Sequence, residues 1–141
     1  MKASSLLFTL FLLLTGMQKT FAQTQKPSLV HLNTFHNIPV EGCADYFYLS
    51  KNDSNKDKNI CVRDFAQIAY LKINGKLEKM IYKPGKSTDD ATYANAEYSV
   101  NIKVVSKRAT GPESYRTRAI LTVYHKGKIA ITQNVIGFGG C

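Results

Sequence analysis

Asp53, Asn55, Asp57, Asn59 and Asp64 stand at positions 1, 3, 5, 7 and 12 of a twelve-residue stretch, the spacing by which an oxygen-rich loop wraps calcium. Two positions break the pattern: Lys58 occupies position 6, where the tight turn needs Gly, and position 12 is Asp rather than a bidentate Glu. Lys51, Lys56 and Lys58 also put positive charge where a divalent cation would sit. A solvated loop is the plain reading, and no metal or cofactor is expected. His31, His36 and His125 offer no ligand spacing, and no Cys-x-x-Cys occurs. Cys61 with His125 could be drawn as a nucleophile and base, and Asp45 with Asp64 as paired acids, but neither has a motif around it. Asp45 is read more simply as an outer strand residue. The expectation is a protein that is not an enzyme.

Charge and aromatic content point instead to binding. Lys72, Lys76, Lys79, Lys83 and Lys86 surround or follow Asn74-Gly75, and Lys103, Lys107, Arg108, Arg116 and Arg118 cluster about Gly111-Pro112. If the two regions meet, they form one positive face. If they do not, they are lysines on exposed strand positions. The chain has eight Tyr, seven Phe and no Trp. Tyr46, Phe47 and Tyr48 are consecutive, so in a strand they cannot share one face. Either one of them meets a partner, as exposed Tyr often does, or a closed fold buries both sides. The candidate binding residues are therefore Tyr46, Tyr48, Lys72, Lys76, Lys79, Arg108, Arg116 and Arg118.

The start of the chain narrows the compartment. Lys2, the apolar run Leu6–Thr15 and Thr20-Phe21-Ala22 have the layout of a secretory leader, too short to span a bilayer. Residues 1–22 are expected to be removed, 23–42 to form an N-terminal extension, and 43–141 a single β domain. Taking Lys2 and Lys19 from the net charge of +9 leaves +7 on the mature part. In a secreted or periplasmic protein such a charge favours acidic envelope or extracellular partners, with no nucleic acid and no membrane span.

Strand signals dominate the elements that must position these residues. Ser28–His36 is a candidate edge strand, and Cys43–Leu49 suits a pleated surface. Lys51–Asn59 reads as a loop, followed by strand candidates Ile60–Ala66 and Gln67–Ile73. Asn74-Gly75 between Ile68–Ile73 and Leu77–Tyr82 predicts a two-residue type I′ hairpin. Glu97–Val105 alternates apolar and polar, and Tyr115–Tyr124 and Ile129–Ile136 flank a second hairpin at His125–Lys128. Lys83–Thr92 and Ser106–Ser114 read as loops, and the chain closes with Gly137–Cys141, where Cys141 ends a flexible Gly139-Gly140 tail. The fold expected is all-β: about seven strands in an antiparallel meander that closes as a barrel or packs as a two-sheet sandwich.

Three cysteines allow one disulfide. A regular hairpin across residues 51–59 places Cys61 opposite about Tyr48, and Cys43 then lies roughly 16 Å away along the ladder, too far to bridge. Cys43–Cys141 is the expected pair, with Cys61 a buried free thiol; Cys61–Cys141 is the alternative.

Gly42-Cys43-Ala44-Asp45-Tyr46-Phe47, Asp64-Phe65, Leu71–Lys76 and the Gly-Cys ending resemble a family of small exported bacterial proteins. That family has a Gly-Cys-x-Cys-Tyr-Phe start and a Lys-Ile-Asn-Gly hairpin. The resemblance spans about residues 42–141 and implies export; this chain has Asp45 where the family has a second Cys. In architecture alone it is similar to small periplasmic β-barrel inhibitors of lysozyme, but their Ser-Gly-x-x-Tyr loop is missing, and a basic chain is repelled by a basic lysozyme. Three roles remain: a domain binding a macromolecular envelope partner as inhibitor, immunity-type protector or accessory protein; a binder of an anionic small or polymeric ligand; and a secreted hydrolase.

Overall fold

The computed structural model describes residues 29–36, 38, 40–65 and 67–141; the expected leader lies outside the described residues. The strands are β1 (Leu32–Asn33), β2 (Ala44–Tyr48), β3 (Cys61–Asp64), β4 (Ile68–Ile73), β5 (Lys76–Ser87), β6 (Asp90–Ala94), β7 (Tyr98–Ala109), β8 (Ser114–His125) and β9 (Lys128–Gly140). One short helix, α1 (Lys51–Asn55), lies between β2 and β3. Each strand from β2 to β9 pairs antiparallel with its neighbour in sequence, and β9 returns to β2. The result is a closed, eight-stranded up-and-down barrel, the solution that removes most open edges from a meander. The extra strand β1 lies along β4, with Leu32 opposite Ile73, and Phe35 bridges to Asn59.

Turn chemistry sets the register. Asn74 and Gly75 have φ of 50° and 82°, and Lys126 and Gly127 have 50° and 75°. Both pairs therefore supply the two positive φ values of a type I′ turn, whose twist matches the flanking strands. Period-two alternation then turns Phe47, Leu71, Met80, Val100, Ile102, Leu121 and Val123 into the barrel, where all are fully buried. Tyr46-Phe47-Tyr48 is buried on two sides: Phe47 fills the interior, while Tyr48 is only 6% exposed on the outer face.

Three segments read as irregular are regular. β5 runs through Pro84-Gly85 to Ser87, and β6 begins three residues later at Asp90. The ladder is irregular between Lys83 and Ser87, where Pro84 removes a donor, which lets the strand continue past it. β7 and β8 likewise extend to Ala109 and from Ser114, past a bulge between Val104 and Ser106. Polar composition suggested loops there; backbone pairing to a neighbouring strand overrides it. The tail is also a strand, because Gly137 and Gly139 face inward against bulky neighbours. A Cβ on Gly137 would meet Thr117 Oγ1 and the Phe47 ring, and one on Gly139 would meet Asp45 and the Tyr115 ring. These glycines serve close packing, not flexibility.

Within the 51–59 segment, Ser50 caps α1: its Oγ accepts from the Asp53 amide (3.2 Å) and donates to the Asp53 carboxylate (2.5 Å). Cys61 opposes Phe47, one residue from the expected register. Cys43 and Cys141 are joined in a disulfide across 98 residues, and Cys61 is a buried free thiol.

Candidate binding groove

Two ladder rows run across the outer face of the barrel. In one, Arg108 on β7 opposes Arg116 on β8, Arg116 opposes Phe138 on β9, and Phe138 opposes Tyr46 on β2. In the next, Ser106 opposes Arg118, Arg118 opposes Ile136, and Ile136 opposes Tyr48. Helix α1 adds Lys51, Ser54 and Asn55 to the same wall, and a groove of about 480 Å³ lies between them. Its floor is apolar, from Ile136, Gly137 and Phe138. Arg116 stacks its guanidinium 4.7 Å from the centre of the Phe138 ring, which in turn packs edge-on against Tyr48 at 6.3 Å.

Four cations line this groove: Lys51, Arg108, Arg116 and Arg118. Among the described residues, no carboxylate forms an ion pair with any of them. Arg108 and Arg116 are direct cross-strand partners, and like charges so placed destabilise a sheet. The bulge between Val104 and Ser106 re-aims the end of β7, so that Ser106 and Arg108 join the outer rows while Lys107 sits 3.7 Å over the Tyr115 ring.

The predicted binding residues divide. Arg108, Arg116 and Arg118 come together, and Tyr46 shares their row. Tyr48 is a correction: it is buried beneath Phe138 and is support, not contact surface, with burial first and Asp57 second pushing its hydroxyl up to about 12. Lys72, Lys76 and Lys79 do not join the groove. β5 and β7 are both antiparallel to β6, so Lys76, at the start of β5, lies at the opposite end of the barrel from Arg108, near the end of β7. Lys76 is moreover ion-paired to Glu78 at 2.9 Å. Lys51, Ile136 and Phe138 were missed. The Ser50-x-x-Asp53 spacing is a readable helix-start signal that would have lifted Lys51 out of its loop.

A second polar cluster closes one end of the barrel. Asp45 is 1% and Arg63 4% exposed, and Arg63 Nε and Nη2 both lie 2.7 Å from Asp45 Oδ2. Tyr115 donates to Asp45 Oδ1 at 2.7 Å, and Arg63 Nη1 donates to the Thr88 carbonyl at 2.9 Å. Burial alone would lower the Arg63 pKa; Asp45 beside it outweighs that and holds it above its ordinary value. Burial, then the hydrogen bond to Asp45, pushes the Tyr115 hydroxyl well up. Asp45 thus faces inward, contrary to the outer position expected, because an interior Arg is there to receive it.

The paired-acid sketch does not assemble. Asp64, next to the Asp45–Arg63 pair in register, points to the other face and accepts the amides of Gln67 and Ile68, both at 2.7 Å. Cys61 is fully buried, and its thiol is pushed up to about 12 by that burial, with Arg63 opposing and Asp45 adding to the effect. Among the described residues no group of three or more His, Cys, Asp or Glu could hold a metal. No described helix is long and apolar enough to cross a membrane. No protein-family model matches the chain, and no curated protein and no solved structure matches it either.

Proposed function

We propose that this chain is an exported, non-enzymatic binding domain whose α1–β7–β8–β9 groove takes an anionic region of an envelope or extracellular partner. The observation that carries the reading is the set of four cations, none in an ion pair among the described residues, over an apolar floor. Arg presents planar forks suited to carboxylate, sulfate or phosphate groups, and the stacked Arg116 is held ready for one. Opposed arginines work against sheet stability, which favours a binding role over decoration. The disulfide is compatible with an oxidising compartment and supports the exported reading.

Calorimetric titration of the mature protein with poly-glutamate and with a sulfated polysaccharide tests this. Binding of at least one is expected in 0.05 M salt, to weaken several-fold in 0.3 M salt as screening shortens, and to fall at least tenfold in Arg116→Gln/Arg118→Gln. Equal binding by wild type and variant would overturn the groove as the site.

A further inference from the structure

The groove opens onto a strand edge that has no partner among the described residues. β6 reaches only to Asp90, opposite Lys103, and the Asp89 carbonyl takes one more β7 amide, that of Val104, at 2.7 Å. Beyond that point β7 continues to Ala109, paired with β8 on its other side alone. The β5–β6 turn does not follow it, because Thr88 is tied to Arg63 at the barrel end. Val105–Ala109 therefore present one row of main-chain groups with no partner strand among the described residues, and all five residues are exposed. The other open edge at this end, β5 from Lys83 to Ser87, carries Pro84 and an irregular register, which disfavour added pairing.

The open edge is basic on both faces. Ser106 and Arg108 line the groove, with Arg116 and Arg118 one strand further in, while Lys107 lies on the opposite face over Tyr115. Edge charges of this kind discourage pairing with a second copy of the same basic chain. They favour a strand of opposite sign.

We propose that the edge Val105–Ala109 captures an extended acidic peptide segment by strand addition. The segment's main chain pairs with β7, and its alternate carboxylates turn into the groove beside Arg108 and toward Arg116 and Arg118. Those on the other face sit beside Lys107. Five edge residues span about 16 Å, so a stretch of roughly five or six residues is read, with affinity from main-chain pairing and selectivity from the arginines. The proposal rests on the groove reading and names the class of its partner: an acidic extended peptide, not a polysaccharide.

The test uses an eight-residue alternating Glu-Thr peptide and two versions of it, N-methylated on one or the other alternate set of amides. An added strand turns only one set toward β7, so one methylated peptide should lose at least tenfold in affinity and the other should bind like the parent. Hydrogen exchange should slow at amides within residues 105–109 on binding the parent peptide. Equal binding of all three peptides, or tight binding of a sulfated polysaccharide with none of the peptide, overturns strand addition while the groove reading stands. Binding of any probe that is indifferent to Arg116→Gln/Arg118→Gln, or no binding of any probe, removes both.

Discussion

Asp45 and Arg63 show how a single side-chain choice is settled by its surroundings. Each is a charge taken almost wholly out of water, and each is satisfied: Asp45 by Arg63 and Tyr115, Arg63 by Asp45 and Thr88. Removing one partner strands the other, so Arg63→Ala should lower the unfolding free energy by about 3–5 kcal/mol in urea titrations. Cys61 gives a second expectation at this scale. With its pKa moved from 9.0 to about 12, the thiolate fraction at pH 8 falls about a thousandfold, and burial shields it further. Iodoacetamide should label it at an appreciable rate only after unfolding. The linkage sign follows from the raised value: the unfolded chain gives up this proton first. The thiol's contribution to stability is therefore complete below about pH 9 and is lost as pH rises toward 12, and Tyr48 acts in the same direction. Unfolding free energy measured from pH 8 to 12 should decline, and less steeply in Cys61→Ala.

Among the elements, β9 best separates composition from structure. Its closing Gly137-Phe138-Gly139-Gly140 looks like a flexible tail, yet it pairs with β2 and β8 at once and closes the barrel. Glycine is needed because Asp45, Tyr115, Phe47 and Thr117 occupy the space a Cβ would take. Asp45 is held by three hydrogen-bonding contacts and cannot yield. Gly139→Ala should therefore destabilise by about 1–3 kcal/mol, as overpacking does, although alanine is ordinarily no worse than glycine in a strand. Chemical denaturation of this one variant decides between a packed strand and a loose tail, since a loose tail would leave stability unchanged.

For the molecule as a whole, closure has two parts, one hydrogen-bonded and one covalent. The Cys43–Cys141 bond joins the residue before β2 to the residue after β9 and spans 98 residues, so it restricts most of the unfolded chain. Cys43→Ser/Cys141→Ser should lower stability by about 2–4 kcal/mol, read from urea unfolding with and without reductant. Charge distribution sets the opposite expectation for the groove. Arg108 opposes Arg116 and forms no ion pair among the described residues, so Arg108→Ser should hold or raise stability by about half a kcal/mol while weakening anion binding severalfold. A loss of both would make Arg108 a structural residue.

Much of this architecture is legible in the chain. Asn74-Gly75 specifies a turn by φ alone, and alternation along residues 97–105 chooses the buried face, because both signals are local. A basic balance and clusters about Gly111-Pro112 are likewise plain in the residue order. What needed tertiary structure is whatever depends on two distant strands meeting. The inward turn of Asp45 required Arg63 across the ladder, the burial of Tyr48 required Phe138 from the far end of the chain, and the strand character of the closing glycines required partners on both sides. The division of the cations followed from barrel closure: antiparallel neighbours carry Lys76 and Arg108 to opposite ends, while register and one bulge bring Arg108, Arg116 and Arg118 beside Lys51. Local spacing encodes the periodicity of a strand; only closure decides which outward rows share a groove.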